Sequence, residues 1–281
     1  MPSIAAATEN GVGAYPLGVN TIMAGATPGP GETWIQNYSV YYNANSFTNS
    51  AGDGAVPGFR ADVGVNATRV FHNWNVEVGP FQLLSGIVVP VMGSRVRTPL
   101  DTTKSFSIGD IEIQPLYLGY VSPDKTFFAY GGIEAYIPTG TDVSNNFYSV
   151  GPTLFATWMP TPKWDLSLTL NVEFHSENTD TNYRSGTLFH ADWGVNYKPI
   201  DSLPTLSVGV GGYVVTQLSD DKLDGAVFQD GFRQEGFAIG PQIAYGTDFG
   251  AIAVKWQHEF ETKNRTEGDK FWLQVMVPFK L

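Results

Sequence analysis

The stretch Trp164-Asp165-Leu166-Ser167-Leu168-Thr169-Leu170-Asn171-Val172-Glu173-Phe174-His175 decides the fold. Its even positions are Trp, Leu, Leu, Leu, Val and Phe, and its odd positions are Asp, Ser, Thr, Asn, Glu and His. Successive side chains on a strand point to opposite faces, so this segment is a strand with one oily and one polar face. At about twelve residues it exceeds the usual five or six of a soluble strand and suits a tilted strand crossing hydrocarbon.

Outward from there the pattern recurs. Tyr183, Phe189, Ala191, Trp193, Val195 and Tyr197 alternate with Arg184, His190, Asp192, Asn196 and Lys198. The same alternation predicts strands near 32–46, 58–71, 79–93, 104–121, 126–138, 147–159, 163–176, 182–198, 203–218, 232–246, 249–262 and 269–281. Long polar connections (47–57, 94–103, 139–146, 177–181, 219–231, 263–268) take turns with tight ones (123–124, 160–162, 200–202, 247–248), 72–80 being the loosest of the latter. Long loops on one side and short turns on the other belong to an outer-membrane barrel, and a soluble sandwich has no reason to sort them so. The chain ends inside a strand, Phe271, Leu273, Val275, Val277, Phe279 and Leu281 alternating to the last residue. Closure requires that strand to pair with the first.

Composition agrees. Charged residues are 15% of the 281, against roughly 25% in soluble domains. The polar face is mainly Asn, Ser, Thr, Gly, Gln and Tyr, which suits a wet interior better than a soluble exterior. Aromatic residues read as interfacial girdles at strand ends, among them Trp34, Tyr38, Phe71, Trp74, Tyr117, Trp158, Trp164, Phe174, Tyr183, Trp256, Phe260 and Phe271. A net charge of −11 argues against a nucleic-acid partner. The absence of cysteine excludes disulfide staples and thiolate metal sites. No apolar run reaches the roughly 18 residues of a membrane helix. Met1-Pro2-Ser3-Ile4-Ala5 has neither the basic end nor the apolar centre of a leader, which leaves a cytosolic protein or a mature form. The expectation is all-β: a monomeric transmembrane antiparallel barrel of about twelve strands. It would sit in the bacterial outer membrane with both termini periplasmic, in contact with lipid bilayer and lipopolysaccharide.

Residues 1–31 differ from the barrel at 32–281. They show no alternation, are rich in Ala, Gly and Pro, and carry Glu9 as their single acid. They read either as a periplasmic tail or as a plug-like segment inside the lumen, with Glu9, Asn10, Tyr15, Pro16 and Leu17 part of that plug. Small residues let a backbone run close to polar walls that satisfy its N–H and C=O groups.

Parity places Arg60, Asp62, Asp110, Glu112, Glu134, Glu173, Arg184, His190, Asp192, Lys255, Glu259 and Glu261 in the lumen. Such a set is either a bracing salt-bridge network or a selectivity filter, and both can hold. It predicts conduction that depends on pH. From Phe81 to Met92 both faces are apolar, so Leu84, Val88, Pro90 and Met92, joined by Leu116 and Leu118, form an apolar stripe inside. A greasy stripe in a wet lumen needs a covering: the N-terminal segment, a residue cluster or an apolar solute.

Catalytic and cofactor signals are weak. His72, His175, His190 and His258 have no partners at metal-ligand spacing, so neither a metal nor a cofactor is expected. His258, facing outward near Trp256, is the one candidate base on the lipid side, and no serine partner stands out for a lipid-processing pair. Asp220, Asp221 and Asp224 fail as a calcium loop, because Lys222 and Gly231 occupy ligand positions.

Finally, Glu9-Asn10-Gly11, Tyr15-Pro16-Leu17-Gly18, Ala24-Gly25, Pro28-Gly29-Pro30-Gly31, Gly109-Asp110 with Pro115, and Pro138-Thr139-Gly140 occur in order. The strongest block is Glu177-Asn178, Thr181, Tyr183, Ser185-Gly186, Phe189-His190 and Asp192. Gly212-Tyr213, Gln217-Leu218, Asp220-Asp221, Ile239-Gly240-Pro241 and Asn264-Arg265 with Gly268 follow. In these the chain resembles, over nearly its whole length, the outer-membrane barrels named for the MetA pathway of phenol degradation. The resemblance implies a channel for small hydrophobic, often aromatic compounds, with no catalytic residues to carry over. The alternatives are an outer-membrane lipid-modifying enzyme and a narrow porin for small ions and polar solutes.

Overall fold

On β8 (Trp164–His175) the alternation becomes a wall: Asp165, Ser167, Thr169, Asn171, Glu173 and His175 are buried, while Leu168 is 42% exposed on the opposite face. A computed structural model describes residues 13–280. Its strands are β1 (Glu32–Phe47), β2 (Arg60–Val78), β3 (Phe81–Arg97), β4 (Thr102–Ile108), β5 (Ile111–Val121), β6 (Phe127–Ile137) and β7 (Ser149–Trp158). After β8 come β9 (Tyr183–Arg184), β10 (Leu188–Tyr197), β11 (Leu206–Gln217), β12 (Lys222–Leu223), β13 (Ala226–Val227), β14 (Glu235–Thr247), β15 (Gly250–Lys263) and β16 (Thr266–Lys280).

Thirteen of these strands form one antiparallel sheet. It closes where β1 pairs with β16 from Glu32↔Lys280 to Phe47↔Thr266 and with β2 on its other edge. β3 pairs with β4 along Val91–Arg97 and with β5 along Gln82–Val88, so β4 and β5 share one position. The barrel therefore has twelve strand positions. Closure through β1 and β16 pairs every strand of the belt on both sides, which is the condition for a sheet in hydrocarbon, and only β4 keeps one edge without a strand partner among the described residues. The tightest connections include Gly79-Pro80, where Gly79 takes φ 62° to reverse the chain between β2 and β3. The strands β9, β12 and β13 form a separate three-stranded sheet within the connections.

Four expectations of facing fail, each for a local reason. On β2, Arg69, Phe71 and Asn73 are buried, so Arg60 and Asp62 have the outward parity. Asp62 instead accepts from Tyr41 Oη and Asn43 Nδ2, both at 2.7 Å. This part of the wall has inverted polarity. Asn66 donates to Ser39 Oγ at 2.8 Å on the outside. On the inside Phe47 and Phe59 fold over Ala44 and Ala61.

On β5 the pairing slips between Ile113 and Leu116. Pro115 has no N–H for the ladder and sits in the resulting bulge, which turns Leu116 and Leu118 outward and Tyr117 inward. Arg184 lies exposed in the small sheet, its Nε donating to His175 O at 3.3 Å, and not in the lumen. Glu261 has φ 50°, a left-handed kink that turns it outward and gives the inner position to Thr262.

Four aromatic residues assigned to the girdles are internal, Trp34, Tyr38, Phe71 and Tyr117. Phe71 and Tyr117 are fully buried with Leu84, Tyr130 and Phe155, and Trp34 packs against them. Tyr183 belongs to the small sheet, where it meets Phe228. Trp74, Trp158, Trp164, Phe174, Trp256, Phe260 and Phe271 do face outward.

Candidate lumen site

Residues 13–31 run inside the barrel, and the wall supplies partners for their backbone. Glu173 on β8 accepts from Ala14 N at 2.8 Å and Tyr15 N at 3.3 Å, with His175 Nε2 2.9 Å away. Asp192 on β10 accepts from Gly18 N at 2.8 Å and from Asn20 N and Tyr15 Oη at 3.0 Å. Lys255 on β15 donates to Gly18 O at 2.7 Å and Val19 O at 2.8 Å. Lys270 and Gln274 on β16 donate to Leu17 O and Val19 O. Lower along the segment, Asp165 accepts from Met23 N, Ser167 from Ala24 N and Thr157 from Gly25 N.

These bonds need close approach, and glycine provides it. A Cβ on Gly194 of β10 would lie 1.8 Å from Thr21 O, and one on Gly25 would lie 2.2 Å from Phe128 O. Tyr15 stacks on His190 at 5.2 Å between centroids. Burial, with Asp192 adding to it, pushes the Tyr15 hydroxyl well above its ordinary pKa, so it remains a donor.

The predicted residues therefore separate into groups. Glu173, His190, Asp192 and Lys255 are buried together around the N-terminal segment. Glu259 pairs with Arg265 at 3.0 Å and accepts from Tyr42 Oη at 2.6 Å, a brace between strands. Glu134 accepts from Tyr117 Oη at 2.6 Å and Thr153 Oγ1 at 2.8 Å, and Glu112 accepts from Gln114. Asp110 lies at the break between β4 and β5 and holds the following loop through Ser144 Oγ at 2.6 Å and Asn145 N at 3.0 Å. Of the N-terminal set, Tyr15 is buried, Leu17 half-buried and Pro16 exposed. Glu9 and Asn10 lie outside the described residues.

The apolar stripe exists but runs a different course. Leu84 is buried in the aromatic cluster, and Val88, Pro90 and Met92 continue along β3. Their inward neighbours across the ladder are Arg69, Ala67 and Val65 of β2, not Leu116 and Leu118. On β1 the matching residues are Gln36, Tyr38 and Val40.

Sequence reasoning missed Arg69, which is 5% exposed in this stripe. Its inner neighbours are Val63, Val65, Ala67 and Phe71, so no polar alternation marked it. It also missed Lys270 and Asn73, the latter donating to Pro28 O at 2.9 Å.

On the lipid side His258 Nδ1 lies 2.9 Å from Asp269, which also accepts from Trp256 Nε1 at 2.8 Å. This is a surface hydrogen-bonded cluster beside a girdle tryptophan.

Comparison with known proteins follows the same line. An outer membrane channel from Pseudomonas putida F1 matches with a TM-score of 0.80 at 15% identity, covering 92% of this chain and 98% of that one. The β domain of the Bordetella autotransporter BrkA matches at 0.49 and 12% identity, over 89% of this chain and 100% of that one. At 15% identity the likeness to the Pseudomonas putida F1 channel speaks for the fold alone. No curated protein matches the sequence. The closed barrel with its oily outer belt is a bacterial outer-membrane protein. The family described as "Putative MetA-pathway of phenol degradation" matches residues 44–275. With most of its length covered by that match, the chain belongs to this family of outer-membrane barrels.

Proposed function

We propose that this barrel is a channel for passive uptake of small hydrophobic or aromatic molecules, occluded by its N-terminal segment. The observation that carries the reading is the threading of residues 13–31 through the lumen on Glu173, Asp192 and Lys255. A segment held by that many buried polar partners is a built part of the lumen. It leaves the stripe of Val65, Ala67, Val88 and Met92 as the wall that an apolar solute would follow. The family description, phenol degradation, supports an aromatic cargo. Carboxylates and lysine hold the segment through charge, which makes the closure sensitive to pH.

The test is conductance and liposome swelling of the full chain beside a variant lacking residues 2–30. The expected result is a large rise in both for the truncated barrel. Equal conductance and equal swelling would contradict the proposal.

A further inference from the structure

Arg69 and Arg265 are both buried arginines of the inner wall, and they are treated differently. Arg265 has its carboxylate, Glu259, at 3.0 Å. Arg69 has none within 4.0 Å among the described residues. Its Nε donates to Gln114 Oε1 at 2.8 Å, and its Nη1 donates to Gln36 Oε1 at 3.2 Å and Tyr130 Oη at 3.4 Å. Nη2 is buried with no hydrogen-bond partner. The guanidinium lies over the Phe71 ring at 3.9 Å, which compensates part of the charge. Gln114 in turn donates to Glu112, so a carboxylate stands one residue beyond, and what is left unmet is the hydrogen bond of Nη2, which is costly in a buried place.

The place where Arg69 lies is a cavity. About 60 Å³ remains between residues 19–26 and the wall, bounded by Trp34, Gln36, Tyr38, Arg69, Tyr130 and Gln274. That is room for roughly two waters or one carboxylate group. A planar guanidinium fork matches a carboxylate better than any other small group, and aromatic walls suit a flat apolar body beside it. The rungs above Arg69 are Ala67 with Tyr38 and Pro90, then Val65 with Val40 and Met92. The apolar stripe therefore ends at a single cation.

We propose that Arg69 is a binding site for the carboxylate head of small aromatic monocarboxylates, whose head fills this cavity and whose ring extends along the apolar rungs of Ala67 with Pro90 and Val65 with Met92. This rests on the channel reading and names the class of cargo it selects. A neutral aromatic leaves Nη2 unpaired, and a dianion brings a second charge with no cation to meet it.

The test uses the full-length protein in proteoliposomes, with benzoate and benzyl alcohol as probes, and compares the natural chain with Arg69→Met and Arg69→Lys. Heat-modifiable gel migration establishes that each variant forms a barrel. Benzoate flux should saturate in the natural protein, and Arg69→Met should abolish saturation and lower the benzoate-to-benzyl alcohol flux ratio about tenfold. Arg69→Lys, which keeps the charge without the fork, should fall between them. An unchanged ratio with saturation intact in Arg69→Met overturns the proposal. If neither probe crosses any barrel, the channel reading fails. Calorimetric titration of benzoate into detergent-solubilised protein then decides the site alone: binding lost in Arg69→Met supports it, and absence of binding to the natural chain refutes it.

Discussion

The two sides of the lumen do different work. From β7 to β16 the inner wall is polar, and its carboxylates, lysines and amides are taken up by the backbone of residues 13–25. From β1 to β6 the wall sets an aromatic cluster and an aliphatic stripe around the buried polar groups Arg69, Glu112, Gln114 and Glu134, and hydrogen-bonds the segment through Asn73 and Glu32. The contrast teaches that the segment takes most of its hydrogen bonds from one arc of the wall, which under the channel reading leaves the other arc to meet a solute.

This division can be broken most strongly at Gly194. Replacing it with Val drives a side chain into Thr21 O, and backbone cannot give way cheaply. We expect the segment to leave its track and conductance to rise toward that of the truncated barrel, as planar-bilayer recordings would show.

Asp192→Ala is the next largest. It leaves Tyr15 Oη, Gly18 N and Asn20 N without their acceptor, and each hydrogen bond to a charged group contributes about 1.5–3 kcal/mol. Frequent openings should appear in single-channel traces, and proteinase K should cut the segment faster than in the natural chain.

Tyr117→Phe sharpens the comparison from the other wall. It removes the 2.6 Å bond to Glu134 and leaves the segment's anchors alone. Unfolding in urea should show a loss of about 1–2 kcal/mol, with conductance as in the natural protein. Asn66→Val, on the outer face, should change stability by less than about 1 kcal/mol, because Asn37 keeps Thr68 and Ser39 as partners.

Much of this was legible in the residues, and its limits are physical. On β8 a run of Leu against Asp, Ser, Thr, Asn and Glu fixes the facing outright, and with it Glu173. The placement of Asp192 and Lys255 follows from equally clean alternation on β10 and β15. On β2 the alternation is present but inverted, since Val63, Val65 and Ala67 face the lumen and Gly64, Asn66 and Thr68 face outward. The inward fold of Phe47 and Phe59 then decides the facing, and that packing is a long-range fact. On β5 the error lay in phase: Pro115 signals a bulge, and one added residue inverts every later position. Reading Pro115 as a bulge would have placed Tyr117 inside. Arg69 had no such signal, because a lone cation on an apolar face looks the same from either side until the strand's neighbours are known.

The central claim is that residues 13–31 close the lumen by lying along its polar wall. Since the natural chain has no cysteine, a paired Ala24→Cys and Ser167→Cys variant tests it directly. Ala24 N donates to Ser167 Oγ at 3.1 Å, so oxidation should join the two positions. Benzyl alcohol flux and conductance should then fall to background in the oxidised barrel and return on reduction. Failure of the cross-link to form, or equal flux in the oxidised and reduced states, would contradict the account.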